Sequence, residues 1–179
     1  MTIARQMRIS PLNRGRQFIC AVRVSDVAGV DRYLRDHLEN DEQVRLVSRL
    51  PAYDRAHHAA VHRRLVENGY RDRDLLLAAL MHDVGKADER GRVRLVHRIG
   101  RVLVRRLAPG AFTALATRVE GYPALHGFYL AEHHPVLGAE LARRAGASSE
   151  SCRLIRQHEA ASSKDPLLSA LVRADEQVS

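Results

Sequence analysis

Apolar residues recur at helical spacing along almost the whole chain. No stretch alternates apolar and polar residues over a length typical of a strand. The pattern predicts an all-α fold: one helical domain, residues 51–179, with an N-terminal helical extension, residues 1–50, packed on its core. The predicted helices cover residues 17–24, 25–38, 41–50, 54–67, 72–83, 93–107, 112–119, 135–145, 148–158 and 166–175.

Polar and special residues mark where several of these helices begin and end. Ser25 and Asp41 are expected N-caps, because their side-chain oxygens can accept hydrogen bonds from free backbone N–H groups. The pair Asn68-Gly69 suits a left-handed turn after a helix. Residues 121–127 are expected to form a loop, and Pro135, which has no N–H, fits the first turn of the helix that follows.

The most apolar segment, LLLAALM at residues 75–81, leads directly into His82 and Asp83. Polar groups at the end of a buried helix are costly unless they are paired or bind a metal. His57 shares a stripe with Val61 and Leu65 at i+4 and i+8, so two helices can meet at one ion. A hydrogen-bonded His-Asp pair without metal is the alternative.

Other residues near these candidates receive weaker predictions. Lys86, in HDVGK, is a cation placed just beyond His82 and Asp83, where it can meet a phosphate. His58 and His62 fall on other faces of their helix and are expected to face solvent. His97 and His126 are expected to be surface or capping residues.

The formal net charge is +8, from 29 Lys and Arg against 21 Asp and Glu. This favours an anionic partner, although a solvated basic surface explains it as well. Aromatic residues make up only 4%, so a nucleic acid partner is not expected. The basic helix 93–107 is expected to pack into the core rather than on a membrane, through Val93, Val96, Val102, Leu103 and Val104.

The location of the protein is predicted from what the sequence lacks. No apolar run approaches the roughly 20 residues of a membrane span, and the first residues do not resemble a secretory signal. We therefore expect a cytoplasmic protein. Cys20 and Cys152 belong to no CxxC pair and are expected to be buried thiols.

Two segments, DRAHHAAVHRRL and LLLAALMHDVGK, together resemble the HD superfamily of metal-dependent phosphohydrolases. The resemblance covers about residues 52–177 and implies an HD-type helical domain. It also implies that divalent metal is bound by His57, His82, Asp83 and a distant aspartate. By position that aspartate is Asp175, in the closing segment LLSALVRAD.

Two further segments, HHPVLGAEL and LIRQHE, resemble the additional histidine motifs of HD proteins that hold two metals. They imply His134 and His158 as ligands, with His133 as the alternative to His134. Similar segments occur in HD-GYP cyclic-dinucleotide phosphodiesterases and in bacterial HD hydrolases of diadenosine tetraphosphate. The second group is closer, because EAASSKDP lacks the Gly-Tyr-Pro signature of the first.

This resemblance implies a dinuclear hydrolase in which Asp83 bridges two divalent ions. Iron or manganese is expected, with zinc, cobalt, nickel or magnesium possible. An activated hydroxide would attack the phosphorus of a nucleotide or small phosphorylated metabolite, and Lys86 would stabilise the developing charge.

Two alternatives to this hydrolase stay open. One is a non-catalytic HD module that binds a nucleotide, nucleic acid or protein, and the other is a di-iron oxygenase of the HD type. Glu159 either orients a water or substrate group or is an exposed helix-end carboxylate, and we favour the exposed carboxylate. The sequence does not indicate an oligomeric state.

Overall fold

The computed structural model describes residues 26–107, 110, 116, 125–160 and 163–178. These residues contain eight α-helices and no β-strand, so the predicted all-α fold is confirmed. The helices are α1 (Val27–His37), α2 (Asp41–Ser48), α3 (Ala52–Glu67), α4 (Arg73–Met81), α5 (Leu95–Leu107), α6 (His126–Arg144), α7 (Ser149–Gln157) and α8 (Pro166–Val178). The predicted helices 17–24 and 112–119, together with Cys20, lie outside the described residues.

Side-chain caps begin several of the helices. The carboxylate or hydroxyl of Asp26, Asp72 and Ser148 accepts a backbone N–H of the first turn of α1, α4 and α7. Asn40 caps α2, so the prediction for Asp41 was wrong by one residue. For α1 the cap is Asp26 instead of Ser25, which lies outside the described residues.

Helix α4 is the central element of the core. Six of the seven residues of LLLAALM, all except Leu76, are buried, as the sequence predicted. Helices α3, α7 and α8 pack against it, and α1 and α2 cover α3 and α4. Leu34, Leu38, Leu46 and Val47, in or next to α1 and α2, belong to the same buried cluster, so residues 26–50 share a core with α3, α4, α6, α7 and α8.

Helix α6 begins nine residues earlier than predicted, at His126. Pro135 therefore lies in the interior of α6, and the expected loop is wrong at least for residues 126–127. A proline in a helix has no N–H to donate to the carbonyl four residues before it. In α6 that carbonyl belongs to Ala131, and the ring of His134 bonds to it instead, at 3.1 Å.

The face of α5 that was predicted to be buried is mostly exposed. Val93, just before it, is buried as expected, but Val96, Val102 and Leu103 are 61%, 53% and 51% exposed. The arginines on the other face turn inward, because carboxylates of α3 and α6 and of the turn after α7 are there to pair with them. No helix in the described ranges is long and apolar enough to cross a membrane.

Candidate metal centre

Asp83 lies where α4 ends and a short 3-10 turn, Val84–Lys86, begins. This turn packs closely on α6. A Cβ added to Gly85 would lie 2.2 Å from the carbonyl oxygen of His134 and 2.6 Å from the nitrogen of Gly138. The contact therefore requires glycine, and it brings the Asp83 carboxylate next to His134.

Three histidines are oriented by the same local device. Nδ1 of His82, His134 and His158 donates to the carbonyl three residues earlier, at 3.0, 3.1 and 2.7 Å. Each of these carbonyls is free, because α4 and α7 end there and Pro135 has no N–H. Since a carbonyl only accepts, Nδ1 carries the proton, and Nε2 of each neutral ring presents a lone pair, as a metal ligand does.

These lone pairs point at the two oxygens of Asp83. Nε2 of His82 lies 3.6 Å from Oδ2, while Nε2 of His134 and of His158 lie 3.3 and 3.5 Å from Oδ1. Nε2 of His82 and of His134 and Oδ1 of Asp83 are buried and have no hydrogen-bond partner. Buried lone pairs that face each other repel, so a proton or a cation is needed between them.

The spacing of these atoms suits a metal ion. Ligand atoms about 2.1 Å from one ion stand roughly 3 to 4 Å from each other. Two groups of ligand atoms lie near this spacing, with all atoms of a group within 4.8 Å of one another: His57, His82 and Asp83, which we call the first position, and Asp83, His134 and His158, the second position. Asp83 belongs to both, so the residues fit a pair of divalent ions that share one carboxylate.

Asp175 completes the surroundings of the first position. Its Oδ1 accepts a hydrogen bond from Nε2 of His57 at 2.7 Å and lies 3.6 Å from Nε2 of His82. An ion bound by His57 and Asp175 would replace this shared proton. The two side chains are 19% and 28% exposed, so this side of the centre is open to solvent.

The electrostatics of the site favour the metal-binding charge states of His82, His134 and Asp83, but not that of His158. Burial lowers the pKa of His82 to about 4 and also lowers the pKa of His134. Attraction to Asp83 outweighs burial at His158 and raises its pKa. Burial alone raises the pKa of Asp83, but the Lys86 ammonium and the imidazoles outweigh it and hold that pKa well below its usual range.

Three basic side chains, a lysine and two arginines of α5, lie near the centre. Lys86 donates to Oδ2 of Asp83 at 2.5 Å. The Arg98 guanidinium contacts both carboxylate oxygens of Asp54 at 2.7 and 2.8 Å. One turn further along α5, Arg101 bonds both oxygens of Glu159.

The structure brings together all six residues predicted to bind metal, together with Lys86. His133 is not among them, since its ring packs against Tyr129, 4.7 Å between centroids. His97 and His126 were expected to be surface or capping residues, and both are buried. His97 does cap the start of α5, since its Nδ1 accepts the backbone N–H of Arg94, and His126 donates to Asp88.

The prediction that His58 and His62 face solvent was wrong. The buried face of α3 runs through both residues, and His57 lies at its edge. His58 packs 4.5 Å from the His82 ring and donates to the carbonyl of Leu80, while His62 is hydrogen-bonded to the hydroxyl of Tyr33.

Glu159 is the residue that sequence reasoning undervalued. Its side chain is 43% exposed, yet its Oε1 lies 3.7 Å from Nε2 of His134. The sequence does hold a signal: Glu159 follows His158 directly, as Asp83 follows His82.

A scan of protein-family models finds no family that matches this chain, and searches of curated proteins and of solved structures find no match either.

Proposed function

We propose that this protein is an HD-type metal-dependent phosphohydrolase that acts on a nucleotide or another small phosphorylated metabolite. The observation that carries the proposal is the environment of Asp83. One buried carboxylate faces the lone pairs of three imidazoles, divided between its two oxygens. A pair of divalent ions, iron or manganese by the choice of histidine and carboxylate donors, accounts for this arrangement.

The residues at the centre would have two roles: some would bind the metal ions, and others would stabilise charge. His57, His82, Asp83 and Asp175 would hold one ion, and His134 and His158 the other, together with Asp83. Divalent ions bound there supply Lewis-acid chemistry: they activate water for attack on phosphorus and neutralise phosphoryl oxygens. The backbone carbonyls that fix the three rings keep the ligands preorganised, so little reorganisation is needed when charge develops.

Charge and access support an anionic substrate. The Lys86 ammonium is 17% exposed beside Asp83, close enough to the centre to bind a phosphoryl oxygen. Arg98 and Arg101 of α5 also lie near the centre, but each is already paired with a carboxylate. Since the His57 and Asp175 side of the centre is open, a small phosphate ester can approach the ions from there.

The test is turnover by purified protein reconstituted with Mn²⁺ or Fe²⁺, against a panel of nucleotides and generic phosphomonoesters and diesters. We expect hydrolysis of at least one member and loss of it in Asp83→Asn. Asp88→Asn is the matched control, because Asp88 pairs with His126 away from the centre.

Three outcomes would count against the proposal. Metal-loaded protein that is inert across the panel would contradict it directly. Oxygen consumption in place of phosphate release would indicate an oxygenase. Tight, salt-sensitive nucleotide binding without turnover would indicate a binding module.

A further inference from the structure

Each of the two ion positions has a carboxylate oxygen close to a histidine nitrogen, and the carboxylate at the second position is not among the predicted ligands. At the first position Oδ1 of Asp175 lies 3.6 Å from Nε2 of His82. At the second position Oε1 of Glu159 lies 3.7 Å from Nε2 of His134. We infer that Glu159 is a ligand of the second position, an inference that rests on the proposed metal centre.

The local backbone explains why Glu159 is there. Helix α7 ends at Gln157, and His158 and Glu159 form the turn that follows it. His82 and Asp83 stand in the same relation to the end of α4. Each turn therefore presents an imidazole and a carboxylate side by side, one pair from each of two helices that pack together.

The separation of 3.7 Å falls within the roughly 3 to 4 Å expected for two ligands of one ion. The other atom of the pair, Nε2 of His134, belongs to a side chain with no exposed surface and has no hydrogen-bond partner. A buried acceptor without a donor, facing a carboxylate, is the arrangement that a cation satisfies.

Arg101 positions the Glu159 side chain. Its two terminal nitrogens donate to Oε1 and Oε2 at 3.1 and 3.0 Å, a two-point contact that fixes the plane of the carboxylate. Each carboxylate oxygen has two lone pairs, so Oε1 can accept from Arg101 and face an ion together. Arg101 is thus a positioning residue that acts through Glu159.

The experiment compares Mn²⁺ binding by chelator-stripped wild type, Glu159→Gln and Glu132→Gln, by calorimetric titration and by metal analysis after desalting. Glutamine keeps the size of glutamate and removes its charge. Glu132 is the matched control, because it also pairs with Arg101 and with Arg105 but makes no contact with the three imidazoles around Asp83. Thermal unfolding of the metal-free variants checks that each is folded.

We expect wild type and Glu132→Gln to bind two ions. In Glu159→Gln the first ion should bind as in wild type and the second at least about 10- to 100-fold more weakly, as when a group that supports a metal site is lost. Glu159→Asp should recover part of the lost affinity.

Two results would overturn the inference alone: Glu159→Gln that binds both ions with wild-type affinity, or Glu132→Gln that loses the second ion equally. The latter would assign the effect to the arginines of α5. Wild type that binds no Mn²⁺ would overturn the proposed metal centre as well, so the two failures are distinguishable.

Discussion

Gly85→Ala tests how the centre is assembled, because it changes no candidate ligand. The added Cβ would lie 2.2 Å from the carbonyl oxygen of His134 and 2.6 Å from the nitrogen of Gly138. Normal contacts are about 3.3 Å or longer, and both neighbours are backbone atoms of α6 that cannot rotate away. The turn and α6 must therefore separate by roughly 1 Å.

Such a separation would act on the second ion position. Nε2 of His134 and Oδ1 of Asp83 are 3.3 Å apart, and an added 1 Å would take them to about 4.3 Å, outside the roughly 3 to 4 Å that separates neighbouring ligands of one ion. The overpacking should also cost about 1–3 kcal/mol of the free energy of unfolding. For a chain of this size each kcal/mol lowers the melting temperature by about 2–4 °C.

Metal analysis after Mn²⁺ reconstitution, together with thermal unfolding of the metal-free protein, measures both effects. Gly91→Ala is the control, since its Cβ would meet only the His126 ring at an ordinary 3.7 Å. We expect Gly91→Ala to match wild type and Gly85→Ala to hold about one ion. A Gly85→Ala protein with two ions and an unchanged melting temperature would refute the reasoning.

Four other substitutions give separate tests. Asp83→Ala should abolish turnover and most metal binding, measured by metal analysis, because its carboxylate faces both positions; retention of two ions would contradict this. His158→Ala should leave about one ion per chain with strongly reduced turnover, and a normal metal content would remove His158 from the site. Lys86→Ala should keep its metal but lose turnover by about 10²-fold in a phosphoester assay, whereas full activity would exclude a role in charge stabilisation. His62→Gln tests pH dependence: burial, with His37 and Arg63, lowers the pKa of His62 to about 4, whereas the unfolded chain takes up this proton near pH 6.5. Metal-free wild type should therefore lose stability as pH falls from 6.5 to 4, and the urea midpoint of His62→Gln should fall less over the same range. If the urea midpoints of both proteins fall equally with pH, His62 contributes nothing to this pH dependence.

Much of the fold could be predicted because it follows from local patterns. The apolar run at residues 75–81 becomes the buried helix α4, and Gly69 takes the expected left-handed conformation, with φ of 87°. The helix ends at Asp72 and Gly69 depend only on neighbouring residues. Errors in the predicted burial occurred where helical spacing allowed either of two faces to be the buried one, as for His57 and His58 on α3.

The sequence by itself determined which residues could form the centre. His82-Asp83 at the end of an apolar helix, and the separate histidines of α3, α6 and α7, are chemically suited to a divalent ion wherever the chain places them. The resemblance to HD proteins added Asp175. All of these are statements about residue type and spacing along the chain.

Only the tertiary structure decided how these residues face one another. The glycine contact of the turn with α6 sets Asp83 between His82 on one side and His134 and His158 on the other. Arg101 of α5 fixes Glu159 beside His134, a contact between residues 58 positions apart in the sequence. Helical periodicity predicts which residues share a face of each helix. Which carboxylate meets which cation depends on how the helices pack, because residues far apart in the sequence pair only where packing brings them together.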